Sequence, residues 1–152
     1  MMKCKEAIAY ATKLHAGQVD KAGRPYIEHP LRVVGLLPGD ATEDEKIAAV
    51  LHDVIEDCGV TAGELIDAGV PTASVRIVEA LTRRSGEPYE AFIDRIAAAG
   101  DSEVKVKVAD IEDNRSPERL AMLDAATAQR LVEKYAKARA TLQAALTSGA
   151  PQ

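Results

Sequence analysis

The chain has 152 residues, of which 47% are apolar and 28% charged, and its formal net charge is −5 at pH 7. A chain of this length can form one domain that buries about 68–70% of its unfolded surface. The negative charge argues against DNA or RNA as the main partner, although a small phosphorylated ligand remains compatible with a metal that supplies local positive charge. No segment approaches the run of about 18 uncharged apolar residues that a membrane span requires, so we expect no membrane partner.

The composition favours helices and an intracellular location. Aromatic residues make up only 3% of the chain and Trp is absent, whereas strands are enriched in aromatic and β-branched residues. Cys4 and Cys58 do not have the spacing of a disulfide framework or a zinc knuckle. The first residues lack the apolar run of a signal peptide, so we expect a cytoplasmic protein.

Apolar spacing, capping residues and helix breakers predict an all-α domain of about eight helices over residues 1–147, followed by a frayed tail over residues 148–152. A polar loop with Gly and Pro, from Gln18 to Ile27, separates the first two helices. Thr42 and Glu45 form a capping box that begins the third. The predicted helices cover 3–16, 29–37, 43 into the acidic stretch 51–58, 62–68, 72–82, 88–99, 102–114, 117–124 and 126–146.

The acidic stretch 51–58 is the part of the chain most suggestive of chemistry. Its His-Asp doublet is followed one turn later by a Glu-Asp doublet, so a continuous helix would stack His52 on Glu56 and Asp53 on Asp57. Like charges at this spacing destabilise a helix by roughly 0.2–0.5 kcal/mol per pair. A divalent cation held by His52 and Asp53 would relieve the repulsion. The alternative is an acidic surface helix with a stray histidine.

The three histidines, His15, His29 and His52, lie in the first third of the chain. Any one of them alone is more often structural, but with Asp53 and Asp110 they allow a set of two histidines and two aspartates. Such a set leaves coordination positions open for water and substrate. It suits six-coordinate Mn²⁺, Fe²⁺ or Co²⁺ better than a closed structural zinc site.

Asp110 and Asn114 share a helix face at i,i+4, where they could serve as a ligand and its polar neighbour. The alternative is a solvated helix end.

Four segments of the sequence carry a resemblance to a known family. They are His15–Gln18, Lys21–Leu31, Leu51–Asp57, and Val106–Asp110 with Asn114. In this order and at these separations they resemble the HD-domain phosphohydrolases, and within them the (p)ppGpp hydrolase domain of RelA/SpoT-type proteins and the small alarmone hydrolases. The resemblance covers roughly residues 5–140 and implies an HD-domain helical bundle with a metal site at a buried edge.

The resemblance also implies a role for individual residues. The implied metal ligands, for a Mn²⁺ in the family, are His29, His52, Asp53 and Asp110. The carboxylates implied to orient or deprotonate the attacking water are Glu56 and Asp57. The residues implied to bind the nucleotide are Lys21, Tyr26 and Asn114. The implied reaction removes the 3′-pyrophosphate of guanosine tetra- or pentaphosphate, the alarmone of the stringent response, and His15 is expected to hold the first helix against the site.

Two departures from the family pattern bear on the substrate. The family usually has Arg before Lys21, packed against the guanine base, where this chain has Asp20. Arg24 occupies a position where the family often has Glu, so we expect that the cation has been relocated and that Arg24 also binds substrate. Asp113 replaces a His of the family and is predicted near the ligand face. An extra carboxylate there would cost on the order of 1–4 kcal/mol at about 4 Å, which would disfavour the most highly charged nucleotides.

Other functions stay open at this point. One is an HD phosphohydrolase acting on another nucleotide, such as a nucleotide monophosphate or NADPH, and another is a non-catalytic nucleotide-binding module. We expect a stand-alone domain, because 152 residues are too few to carry a synthetase or regulatory module as well. The apolar stripe on the last helix could serve a homodimer as easily as the core.

Overall fold

The computed structural model describes residues 1–148 and confirms the all-α prediction. Within that range the backbone forms ten helices and no strand, apart from an isolated bridge between Val19 and Pro25. None of these helices is long and apolar enough to cross a membrane. Ser148 ends the last helix, and the rest of the predicted tail lies outside the described residues. The helices are α1 (Cys4–Leu14), α2 (Glu28–Gly35), α3 (Glu43–Leu51), α4 (Val54–Cys58), α5 (Ala62–Asp67), α6 (Thr72–Ala80), α7 (Tyr89–Ala99), α8 (Asp101–Asn114), α9 (Pro117–Leu120) and α10 (Ala125–Ser148).

Helix α3 lies at the centre of the fold. All five residues from Ile47 to Leu51 are fully buried, as expected for the half of the helix in which every residue is apolar. It packs against α1, α2, α6 and α8. The predicted capping box at its start is present, because Thr42 Oγ1 accepts from the amide of Glu45 and the Glu45 carboxylate accepts from the amide of Thr42.

Helix α8 packs across the same core, against α2, α3, α6, α7 and α10. Its apolar side buries Val104, Val106 and Ile111. Three polar residues of the same helix are also buried, namely Lys107, Asp110 and Asp113. Because buried charges must be paired, these residues mark the place where α2, the end of α3, and α8 meet.

The acidic stretch does not form one continuous helix, so the predicted stacking of His52 on Glu56 is wrong. Helix α3 ends at Leu51 and α4 begins at Val54. In an uninterrupted helix the carbonyl of Ala49 would accept from the amide of Asp53, but here it accepts a 2.7 Å hydrogen bond from His52 Nδ1. Asp53 takes up φ −103° and ψ −3° between the two helices. The break turns the two doublets toward different neighbours.

The loop between α1 and α2 is built around Asp20. Its carboxylate accepts hydrogen bonds from the amides of Ala22 and Arg24, and its carbonyl accepts from Gly23, which has φ 81°. Only glycine adopts that conformation without strain. The residue that departs from the family pattern is therefore used to shape the loop.

Arg95 of α7 fastens the loop between α6 and α7. Its guanidinium donates to the carbonyls of Ala80 and Thr82, both at 3.0 Å, and to the Glu87 carboxylate at 2.9 Å. The carbonyls left free at the end of α6 are thereby satisfied. The same loop donates the amide of Arg83 to Glu56 of α4.

Replacing Arg95 with Met should lower the free energy of unfolding by about 1–3 kcal/mol, because two carbonyls and a carboxylate lose their donors. Urea denaturation followed by circular dichroism would measure this. Arg76→Met removes an exposed arginine of α6 and serves as the control. Equal stability of the two variants would show that the Arg95 contacts contribute nothing.

Candidate metal centre and its cleft

The four predicted metal ligands lie together where α2, α3 and α8 meet. His29 stands near the start of α2, His52 and Asp53 follow the end of α3, and Asp110 lies on α8. His29 Nε2 is 2.9 Å from Asp110 Oδ1 and 3.7 Å from Asp53 Oδ2. His52 Nε2 is 3.1 Å from Asp53 Oδ2 and 3.2 Å from Asp110 Oδ1. Two imidazoles and two carboxylates thus converge on one point.

Hydrogen bonds behind the two imidazoles fix which nitrogen faces that point. His52 Nδ1 donates to the carbonyl of Ala49 at 2.7 Å, and His29 Nδ1 donates to Asp113 Oδ2 at 2.6 Å. A carbonyl or carboxylate can only accept, so each Nδ1 carries a proton. The Nε2 atoms are then the ones available as metal ligands.

The donor set fits a divalent cation. The ligand atoms of His29, His52 and Asp53 all lie within 4.8 Å of one another. His52 Nε2 is completely buried and has no hydrogen-bond partner among the described residues, although two carboxylate oxygens are close to it. A buried polar atom left in this way is costly, and a cation shared with the neighbouring carboxylates would satisfy it.

Lys107 holds the outer oxygen of Asp110. Its ammonium is buried and lies 2.8 Å from Asp110 Oδ2, and Asn114 Nδ2 donates to Asp110 Oδ1 at 3.1 Å. Since Oδ2 is engaged, Asp110 presents Oδ1 alone to the cluster. Burial by itself would raise the pKa of Asp110, but Lys107 and the imidazoles of His52 and His29 outweigh it and hold that pKa well below its usual range.

In Asp53 and His52 too, neighbouring charges shift the pKa against the effect of burial. Burial raises the pKa of Asp53, but the neighbouring His52 imidazole has the larger effect and lowers that pKa to about 2. Burial lowers the pKa of His52, yet Asp53 and Asp110 raise it well above the ordinary value. Both carboxylates are therefore ionised at neutral pH, as cation ligands must be.

Tyr26 contacts a candidate ligand directly. Its hydroxyl donates a 2.6 Å hydrogen bond to Asp53 Oδ2. Burial, followed by the charge of Asp53, raises the pKa of this hydroxyl, so it stays protonated and continues to donate. Tyr26 was predicted to bind nucleotide, and the structure adds that it orients a carboxylate of the cluster.

Asp113 lies near the ligand face, as its helical phase predicts, but its charge is compensated. Arg32 Nε donates to Oδ1 at 2.7 Å, and Arg119 Nη1 donates to Oδ2 at 2.9 Å. The structure therefore gives no physical basis for the expected repulsion of highly charged nucleotides by Asp113.

The two carboxylates implied as catalytic are exposed and lie on α4, which begins directly after Asp53. Glu56 Oε1 accepts from the amide of Arg83 at 2.6 Å, and Asp57 Oδ2 accepts from Gln18 Nε2 at 3.2 Å. Among the described residues, no hydrogen bond or ion pair joins either carboxylate to the four candidate ligands.

His15 lies behind Tyr26 with its ring centroid 5.1 Å from the tyrosine ring. Its Nδ1 is 2.7 Å from Gln18 Oε1, and the same Gln18 bonds Asp57. This placement agrees with the expectation that His15 holds α1 against the site.

A cleft of about 910 Å³ opens beside the cluster. Three of its wall residues, Tyr26, Asp113 and Asn114, each hydrogen-bond a candidate ligand, so the cleft reaches the cluster. Its basic lining comprises Lys21, Arg24, Arg32 and Arg119. Its apolar lining includes Val19, Met122, Leu123 and Leu131. The lining also contains four carboxylates, Asp20, Glu28, Asp113 and Glu118. Glu28 and Asp113 are paired with the three arginines of the cleft, so Lys21 is the basic group left for an anionic ligand among the described residues.

The residues predicted to bind substrate differ in how they are engaged. Lys21 lines the cleft and has no carboxylate within ion-pair distance in the described part of the chain. Arg24 pairs with Glu28 at 2.9 Å in a mostly exposed i,i+4 pair. Arg83, which is not one of the predicted substrate-binding residues, lies over the Tyr89 ring and outside the cleft lining.

Arg115 pairs with Glu112 at 3.1 Å and likewise lies outside the cleft lining.

Sequence reasoning missed three residues that hold the cluster. Lys107 lies three residues before Asp110, a spacing that places it on the same helix face. Arg32 lies three residues after His29 in the same way. No helical spacing in the sequence points to Arg119, because its contact with Asp113 depends on how α9 is placed relative to α8.

Comparisons with known proteins agree with this geometry. The chain is 33% identical over 113 residues to a GTP pyrophosphokinase of Myxococcus xanthus and 32% identical over 112 residues to the guanosine-3′,5′-bis(diphosphate) 3′-pyrophosphohydrolase of Vibrio cholerae. Each match covers 73% of this chain and 15% of the relative. A probable guanosine-3′,5′-bis(diphosphate) 3′-pyrophosphohydrolase of Synechocystis is 41% identical over 80 residues, which are 52% of this chain and 10% of that protein.

A solved structure, described as a metazoan ortholog of SpoT that hydrolyzes ppGpp, superposes with a TM-score of 0.67. The alignment covers 97% of this chain and 96% of the other, at 21% identity, so the likeness concerns the fold. The sequence matches the HD domain over residues 7–116, a range that contains all four candidate ligands. The chain therefore belongs to the HD-domain family.

Proposed function

We propose that this chain is a Mn²⁺-dependent hydrolase that removes the 3′-pyrophosphate from guanosine 3′,5′-bis(diphosphate) and from its pentaphosphate counterpart. The observation that carries the proposal is the convergence of two imidazoles and two carboxylates beside a cleft with basic and apolar walls. The names of relatives that share this part of the chain support the same substrate. Mixed nitrogen and oxygen ligands suit Mn²⁺ among the divalent cations, with Fe²⁺ or Co²⁺ as substitutes.

In this proposal the cation is held by His29, His52, Asp53 and Asp110. When bound, it supplies Lewis-acid activation of water and neutralises charge that develops on phosphorus. The protein keeps these ligands in place through partners of their own, such as Tyr26 on Asp53 and Lys107 on Asp110. The contact of Lys107 takes Oδ2 of Asp110 and leaves Oδ1 facing the histidines, whereas the Tyr26 hydroxyl bonds Oδ2 of Asp53, the same oxygen that faces them.

Glu56 is the proposed proton acceptor for the attacking water. Its Oε1 is held by the amide of Arg83, while its Oε2 has no partner among residues 1–148. The carboxylate is thereby oriented and still able to accept a proton. Asp57 is the proposed second carboxylate, and its contact with Gln18 ties it to the loop that forms one wall of the cleft.

The cleft supplies the proposed contacts with the nucleotide. Lys21 is available for a phosphate group, because no carboxylate of the described chain is paired with it. The only ion pair of Arg24, with Glu28, is largely exposed and contributes little stabilisation, so Arg24 can release Glu28 and bind the nucleotide instead. Asn114 reaches both the cleft and Asp110, and Met122 lies in the apolar wall that suits a base.

Asp53→Ala should abolish release of pyrophosphate from ppGpp while the fold is retained, because a ligand that is not needed for core packing is lost. Product chromatography of Mn²⁺-loaded protein would show GDP and pyrophosphate from the parent only. Asp67→Ala, which removes an exposed aspartate of α5, is the control. A metal-loaded parent without turnover would contradict the proposed substrate and call for a panel of other nucleotides, including NADPH.

Glu56→Gln should lower kcat by about 10²–10⁴-fold, because general-base assistance is lost while the shape of the side chain is kept. Mn²⁺ affinity, measured by titration calorimetry, should stay unchanged because Glu56 does not touch the candidate ligands. Asp57→Asn provides the comparison between the two carboxylates. An unchanged kcat for Glu56→Gln would contradict the proposal that Glu56 is the proton acceptor and would favour Asp57 in that role.

Arg24→Ala should raise the KM for ppGpp at least about tenfold, equivalent to the loss of one charged contact with the nucleotide. Arg76→Ala, an exposed arginine outside the cleft lining, is the matched control. Steady-state kinetics with saturating Mn²⁺ would measure both. If the KM of Arg24→Ala equals that of the control, the cation has not been relocated to this position.

A further inference from the structure

Asp113 is a buried carboxylate that lies directly behind His29. It follows Asp110 by one turn of α8 and is only 3% exposed. Asp113 Oδ2 is 2.6 Å from His29 Nδ1, the nitrogen opposite the one that faces the cluster. Because the carboxylate is the acceptor, His29 Nδ1 carries the proton and Nε2 keeps its lone pair for a cation.

Two arginines from different helices hold this carboxylate. Arg32 of α2 donates to Oδ1 through Nε at 2.7 Å. Arg119 Nη1 lies 2.9 Å from both Asp113 Oδ2 and His29 Nδ1. Since His29 Nδ1 is itself a donor, the carboxylate is the group that accepts from Arg119. Both oxygens of Asp113 are therefore hydrogen-bonded, which keeps the carboxylate from rotating away from the imidazole.

The two imidazoles of the cluster have unequal support. His52 Nδ1 donates to a neutral backbone carbonyl, that of Ala49, whereas His29 Nδ1 donates to an ionised carboxylate. Arg32 and Arg119 donate to the two oxygens of this carboxylate, at 2.7 Å and 2.9 Å. A carboxylate partner orients a ligating imidazole and makes it a stronger donor than a carbonyl does.

We propose that Asp113 is a positioning residue for the metal centre, which fixes the tautomer and the ring orientation of His29 and is itself held by Arg32 and Arg119. This inference rests on the proposed function, because it requires that His29 bind a cation. It assigns a role in metal affinity to one of the positions at which the sequence departs from the family pattern.

The test is Mn²⁺ affinity measured by titration calorimetry, without any substrate. Asp113→Ala and Asp113→Asn should each raise the Kd for Mn²⁺, by about 10–100-fold, with the larger effect for Asp113→Ala because asparagine still offers an acceptor to Nδ1–H. Glu112→Gln is the matched control. Glu112 is the preceding residue of α8 and also pairs with two arginines, Arg115 and Arg139, but it contacts no candidate ligand. Its Kd should match that of the parent.

A second measurement needs no variant and so does not depend on whether Asp113→Ala folds. In protein labelled with ¹⁵N and loaded with diamagnetic Zn²⁺, NMR of the imidazole nitrogens should show His29 with a protonated Nδ1 that exchanges slowly with water. A His29 that is protonated at Nε2, or bound to metal through Nδ1, would overturn the inference.

The outcomes separate this inference from the proposed function. Folded Asp113→Ala that binds Mn²⁺ as tightly as the parent overturns the role of Asp113 and leaves the hydrolase proposal intact. A parent that binds no divalent cation overturns both. A parent that binds Mn²⁺ but leaves ppGpp intact refutes the substrate, while a weakened Kd in the Asp113 variants would still support the role of Asp113.

Discussion

The pairing of Asp110 with Lys107 and two histidines inside the protein is the constraint on which the rest of the structure depends. Charges taken out of water are tolerated only when they are paired and hydrogen-bonded, and removing one partner of a buried pair costs about 3–5 kcal/mol. Asp110 meets this condition by giving one oxygen to Lys107 and the other to His29 and His52. Those partners come from α8, α2 and the end of α3, so the three helices can pack in only one relative position. The same pairing of the buried Asp110 carboxylate therefore fixes both the packing of the core and the geometry of the candidate centre.

Each candidate ligand is held by a hydrogen-bond partner that is not one of the four candidate ligands. The partners are chemically different: a carbonyl for His52, a tyrosine hydroxyl for Asp53, an ammonium for Asp110 and a carboxylate for His29. Because these contacts form when the chain folds, the rotational freedom of the ligands is already lost before any cation arrives. Cation binding then does not have to offset the entropy cost of ordering these side chains.

The sequence predicts much of this arrangement, and its failures have identifiable causes. Caps such as Thr42 and Ser116 locate helix starts because they act through neighbouring amides. The family resemblance groups four candidate ligands from separate parts of the chain, and the structure places their side chains close together. The helix break after Leu51 is not predicted, because apolar periodicity carries no information on the hydrogen bond from the His52 imidazole to the carbonyl of Ala49. Asp113 is placed on the correct face by helical phase, but its neutralisation depends on Arg32, 81 residues away in sequence, which local rules cannot supply.

The order in which the ligands occur along the chain has a consequence for biosynthesis. His29 and Asp110 are separated by 81 residues, whereas His52 and Asp53 are adjacent. A chain emerging from the ribosome can therefore pack α2 on α3 and bring both histidines beside Asp53 long before α8 is made. During that interval the nascent chain exposes a partial site that lacks Asp110 and its lysine, and the apolar face of α3 that α8 later covers is open to water. Synthesis of α8 completes the set of four candidate ligands, whereas the core also needs Ala138 and Leu142 of α10, which follow later in the chain.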